Sequence, residues 1–181
     1  LVAFPELRLF AGGDTTRHVV AGLARNDGLD EIRDLLIEVR LIDSQGRVLA
    51  RSVVPGMISR LGPGDTSPFL ARFEVDARPS SAQANLSGYS LGPAIAQPDA
   101  SVRVSLIRGF TTADRQLGWL VRVENTGNDP IQIDEVAEVF RDDAGTLAGA
   151  AGGVVGLTAV PAGGHVIWLL LGEAVSGGVP S

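Results

Sequence analysis

Cysteine is absent from the 181-residue chain, so no disulfide framework, thiolate metal site or cysteine nucleophile is available to it. Lysine is absent as well. All 15 basic residues are arginine, which rules out a phosphate loop ending in Gly-Lys-Ser/Thr and reads as a coding bias ahead of a choice for bidentate pairing. The glycine-rich stretches 62–64 and 149–153 are therefore read as turns. Positive charge is scarce in both halves: residues 1–99 hold 10 Arg against 12 acids and residues 100–181 hold 5 against 9, a net charge of −6 in all. Neither half has the basic footprint that a phosphate backbone requires, which excludes nucleic acid as a partner. Histidine occurs only at His18 and His165, which have no second His near them and do not occupy equivalent places in the repeat described below. Each is read as solvated or locally bonded, not as a catalytic base or zinc ligand. No Gly-x-Ser-x-Gly elbow occurs, which argues against a serine hydrolase. The longest apolar run, 166–171, is too short for a membrane span in this fragment. Leu1 in place of Met, and Arg8 after the first apolar residues instead of before them, give the expectation of a mature or excised fragment with no signal peptide of its own.

What the chain does have is the vocabulary of β-structure. Hydrophobic residues make up 45%, and 23 Gly with 10 Pro supply turns. The organising stretch is 118–145, in which alternating apolar residues flank an Asn-Thr-Gly turn and end on Asp-Asp-Ala-Gly. The same grammar stands 99 residues earlier: Asn26 matches Asn125, Gly28 Gly127, Asp30 Asp129, Ile32 Ile131, Asp43 Asp142, Gly46 Gly145 and Gly64 Gly163. A constant offset across so many turn residues leads to the expectation of two copies of one β-domain, at 1–76 and 101–181.

Taken in order, the first copy is expected to hold strands at 4–10, 17–25, 35–43, 47–54, 57–61 and 69–75, broken at 11–14, 26–28, 43–46, 55–56 and 62–65. In the third of these, Leu35, Ile37, Val39 and Leu41 share one face, and the opposite face should meet water despite Leu36 and Ile42. Residues 77–100, rich in Pro, Ser, Ala and Gly, are read as a linker, although Leu86, Tyr89, Leu91 and Ile95 are apolar enough to pack between the copies. The second copy repeats the order at 102–107, 117–124, 131–140, 146–151, 154–160 and 165–171, with a frayed tail at 176–181. Residues 129–140 are read as strand and not helix because Ile131, Ile133 and Val136 are β-branched. The fold class expected is all-β, two tandem immunoglobulin-like antiparallel sandwiches.

A strand, an Asn-x-Gly turn, a strand ending in apolar-x-Asp-x-x-Gly, a return strand and an aromatic final strand together resemble the FxLYD-type bacterial domain. The signature would fall at Val39, Leu41, Ile42 and Asp43 in one copy and at Glu138, Phe140, Arg141 and Asp142 in the other. Val39 and Glu138 stand where that family has Phe, and Ile42 and Arg141 where it has Tyr. The resemblance implies an immunoglobulin-like sandwich from exported or surface-anchored bacterial proteins, often in tandem, and brings no catalytic residues with it.

Two binding chemistries have candidate residues. Asn26, Asp27, Asp30 and Glu31, with Asn125, Asn128 and Asp129 in the matching loop and Asp142 and Asp143 in another, are hard oxygen donors of the kind Ca²⁺ takes, though not at EF-hand spacing. Trp119, Trp168, Tyr89 and the six Phe would be the material of a carbohydrate platform, but both Trp sit at apolar strand positions that favour core packing. No catalytic, cofactor-binding or metal-ligating residue is assigned, and no cofactor is expected. The function expected is non-catalytic: a spacer or protein-interaction module outside the cytoplasm, with a calcium- or carbohydrate-binding module as the alternative. The uncharged run 166–171 is expected to be an edge strand of the second copy through which the chain associates with itself or with a protein partner.

Overall fold

The computed structural model describes residues 1–11, 16–92, 101–111 and 117–174. The expected break at 12–14, the residues Pro93, Ile95 and Pro98 of the expected linker, and the tail lie outside them. Twelve strands follow in order: β1 Val2–Ala11, β2 Arg17–Asn26, β3 Glu31–Ile42, β4 Val48–Pro55, β5 Arg60–Leu61, β6 Thr66–Glu74, β7 Ser81–Gly92, β8 Val102–Thr111, β9 Leu117–Asn125, β10 Ile131–Arg141, β11 Leu147–Val160 and β12 His165–Ala174. No helix occurs among the described residues, and every pairing is antiparallel.

In the first half two sheets face each other. One has the order β1-β2-β6; in the other, β3 is flanked by β4 and β5 on one edge and by β7 on the other. Strand alternation aims Val20 and Ala24 of β2 and Phe69, Ala71 and Phe73 of β6 at Leu35, Ile37, Val39 and Leu41 of β3, and all nine are buried. The face expected from sequence is thus the core face. Ile42, expected on the wet side, is only 7% exposed; beside it the β3–β4 register shifts by a bulge between Leu41 and Ile42, with Leu49 the extra residue on β4.

The second half is one sheet in the order β10-β11-β12-β9-β8. It folds over itself because β11 pairs with β10 along its length and with β12 only at Gly149, Ala150 and Ala151. Trp119 and Val121 of β9, Val136 and Phe140 of β10, and Leu170 of β12 meet in its core, with the Trp119 and Phe140 rings stacked 3.7 Å apart at 11°.

Pair by pair, the two halves share a register. Val20 opposes Ala71 and Trp119 opposes Leu170; Ile37 opposes Val54 and Val136 opposes Gly153; Ile32 opposes Leu61 and Ile131 opposes Val160. Adding 99 to either residue of a first-half pair gives its second-half counterpart. The Leu41/Ile42 bulge recurs in the same way at Phe140/Arg141.

Three expectations change. Ser81–Gly92, read as linker from composition, is a strand paired with β3 along its full length. Its small residues Ala84 and Ala82 sit opposite Val39 and Leu41, where a larger side chain would crowd a filled core, so it lacks the strong apolar alternation that marks a strand in sequence. The expected strand at 57–61 shrinks to Arg60–Leu61, and the two expected at 146–151 and 154–160 are the single strand β11. Finally, 166–171 is not an edge: β12 lies between β11 and β9, and among the described strands the outermost of that sheet are β10 and β8.

Candidate functional site

Asn26 and Asn125 are fully buried at the ends of β2 and β9. The Asn26 side-chain amide donates to the Asp30 carbonyl at 2.8 Å and the Leu61 carbonyl at 3.0 Å, and its oxygen accepts the Gly28 N–H at 2.9 Å. Asn125 does the same with the carbonyls of Asp129 at 2.7 Å and Val160 at 3.1 Å and the N–H of Gly127 at 2.9 Å. Each side chain therefore ties its own turn to the strand end across the core, and its donors and oxygen are spent on backbone. The sequence marked both as turn residues; their burial as hubs was visible only in the offset they share.

Of the other calcium candidates, Asp27, Glu31 and Asp142 are also engaged. Asp27 is paired with Arg25 at 2.6 Å. Glu31, wholly buried, accepts from Arg33 and from Arg60, the latter at 3.2 Å. Burial raises its pKa, but the hydrogen bonds and charge of the two guanidinium groups outweigh that and hold the carboxyl below its ordinary value. Asp43 accepts the N–H groups of Gln45 and Arg47, and Asp142 those of Ala144 and Thr146. These hydrogen bonds, led by those from Arg47 and Thr146, hold both carboxyls below the usual range. Gly46 and Gly145 complete the two turns with φ of 81° and 75°, a region that side chains with a Cβ rarely adopt. Among the described residues no three His, Asp or Glu groups converge as a metal site.

The longest-range polar contacts join the two halves. Arg141 donates two hydrogen bonds to the Glu6 carboxylate, at 2.8 and 2.6 Å. Arg8 donates to the Leu147 carbonyl at 2.9 Å and to the Asp142 carboxylate at 3.3 Å, and the Ser59 N–H donates to Glu135 at 2.8 Å. Between them Phe10 and Ala21 pack against Leu147, flanked by Leu70 and Val139. The outer face of β1-β2-β6 is thereby covered by the β10–β11 hairpin. Arg8, Arg141 and Asp142 entered the sequence reading in other roles and none of these pairings was foreseen, since partners 76 to 139 positions apart leave no local signal. Beside this seam a cleft of about 390 Å³ is walled by Pro55, Met57, Leu70, Ala151 and Leu171, with Arg72 on its lining.

The remaining candidates divide. Trp119 is buried and Trp168 half-buried against the second core, whereas Tyr89 on β7 is exposed. His165 is exposed, as expected. His18 is not solvated: it is 3% exposed, with neither ring nitrogen hydrogen-bonded, because its place opposite Phe73 puts it on the core face of β2. No helix among the described residues is long and apolar enough to cross a membrane. No family model matches the chain, and no match was found among curated proteins.

Proposed function

We propose that the two halves are tandem immunoglobulin-like sandwiches of one plan and that the pair serves as a non-catalytic, rigid spacer and protein-interaction module. The observation that carries this reading is where the polar residues go. Paired Asn hubs and Asp-Gly turns brace each half in the same register, and Arg141, Arg8 and Ser59 fasten one half to the other around Phe10 and Leu147. Such a clamp suits a unit that holds a fixed separation or presents a fixed surface. The FxLYD-type likeness carries the placement on an exported bacterial protein, outside the cytoplasm.

The test is backbone ¹⁵N relaxation on the whole chain. A single rotational correlation time for both halves, splitting into two when Arg8 and Arg141 are both replaced by Ala, supports the spacer. Two independent times in the unaltered chain would reject it.

A further inference from the structure

The seam joins the outer face of β1-β2-β6 in the first half to the outer face of the β10–β11 hairpin in the second. Each half therefore uses one of two faces and keeps the other spare. On the second half the spare face is the outer side of β8-β9-β12, where Ile167, Leu169 and Leu171 are 49–54% exposed. On the first it is the outer side of the β3–β4 hairpin, where Leu36, Val48 and Val53 are 40–53% exposed. At the places of these six, 99 positions away, the covered faces hold Pro68, Leu70, Arg72, Glu135, Leu147 and Gly152. The faces left in water are thus more apolar than the ones the seam buries, the reverse of what solvation asks of them.

The residues that make the seam recur on the spare face of the second half. Phe10 opposes Val19 and Arg8 opposes Ala21; the counterparts Gly118 and Leu120 are opposed by Phe110 and Arg108, because a bulge at Ile107 takes up one residue. Leu70 likewise opposes Ala21, and Leu169 opposes Leu120. A hairpin laid here as β10–β11 lies on the first half would set Val48, the counterpart of Leu147, against Phe110, Leu120 and Leu169. Arg108 would reach the Val48 carbonyl as Arg8 reaches that of Leu147. Asp43, unlike Asp142, already accepts from Arg47, and the Glu6–Arg141 pair has Ser105 and Ile42 in its place. Apolar burial would carry the contact. Packed on its own kind instead, the spare face of the second half would bring Arg103, Arg108 and Arg122 of one copy against those of the other, which disfavours a symmetric pairing.

We propose that copies of this chain associate head to tail, the β3–β4 hairpin of one chain lying on the outer face of β8-β9-β12 of the next as β10–β11 lies on β1-β2-β6 within a chain. A second copy is the occupant because this chain carries both complementary faces and has both to spare. The interface is heterologous, so each added chain presents the same two faces again and growth is open-ended. The proposal deepens the interaction-module reading by making the chain its own partner, and it rests on the two halves being copies.

The test is sedimentation velocity of the whole chain over a concentration series, beside Val48→Glu and Leu169→Glu, two exposed positions where a carboxylate spoils one face and spares the fold. The mean sedimentation coefficient of the unaltered chain should climb with concentration past that of a dimer, and each variant alone should stay monomeric. Mixed in equal amounts, the variants should form dimers and nothing larger, because the hairpin of Leu169→Glu still fits the sheet face of Val48→Glu. Independently of either variant, dilution of the ¹⁵N-labelled unaltered chain should move the amides of β4 and β12 and leave those of β7 in place. A chain that stays monomeric, whose spare faces then belong to another protein or a further segment, would overturn the proposal. So would association that survives either substitution, a mixture that stays monomeric, or dilution shifts confined to other strands. Relaxation of ¹⁵N-labelled Leu169→Glu separates the two readings. Halves that tumble independently end the spacer reading and this proposal with it; halves that tumble together in a chain that never self-associates end the head-to-tail proposal alone.

Discussion

The two halves use the same turn chemistry and differ in how their layers close. In the first, β7 seals the edge of β3, and the core position Val39 is fully buried. In the second no described strand seals β10, β8 keeps half its apolar face in water, and Glu138 holds the equivalent core position. An ion cluster around the buried Glu31 divides them too: Glu31, Arg33 and Arg60 are replaced by Pro130, Gln132 and Ala159. The lesson is that strand order and register are fixed by the Asn, Asp and Gly residues at the strand ends, while closure depends on a strand outside that grammar.

The sharpest way to break the comparison is to exchange the two core residues. Val39→Glu should cost more than about 4 kcal/mol and unfold the first half, because the site is sealed and offers the charge no partner. Glu138→Val should instead stabilise the second half by about 1 kcal/mol. Both are read from urea unfolding followed by NMR of each half, and equal effects at the two sites would remove the distinction.

Next come the hubs, where the halves should agree. Asn26→Ala and Asn125→Ala each strand at least two carbonyls and a glycine N–H, and each should cost about 3 kcal/mol. A large loss at one and none at the other would show that the turns are not equivalent in function. The clamp is smaller. Arg141→Ala should cost about 0.5–1 kcal/mol, since the pair is partly exposed, and the loss should shrink at high salt.

The smallest effect is in pH. Asp43 and Asp142 have folded-state pKa values below their ordinary ones, so the stability they give is present above about pH 4 and is lost as pH falls through the folded values. Glu138 runs the other way. Burial raises its pKa, so its favourable contribution is complete below about pH 4 and disappears as pH rises through the raised value. Glu138→Gln should flatten only that upper limb of the stability curve, and Asp142→Asn only the lower one.

Much of this was legible in the sequence. Alternation placed Leu35, Ile37, Val39 and Leu41 on the core face, and the offset found both Asn-x-Gly and both Asp-x-x-Gly turns. What escaped has physical causes. β7 carries Ala where its neighbour's core is already full, so its apolar signal is weak and its Ser and Gly read as linker. Residues 166–171 look like an edge because they are uncharged, but that run is the uncharged middle of a sheet. The seam between the halves is built from single residues far apart in the chain, each unremarkable among its neighbours, and the burial of His18 follows from tertiary packing that no local pattern reports.

Amide hydrogen exchange of the free chain, resolved residue by residue, tests the central claim most directly. In β3 the N–H groups directed at β4 and those directed at β7 should both be slow, whereas in β10 only those directed at β11 should be slow and the alternate set should exchange at the rate of an open edge. Slow exchange of both sets in β10 would mean that the second half is closed like the first, and the contrast drawn between the two halves would be wrong.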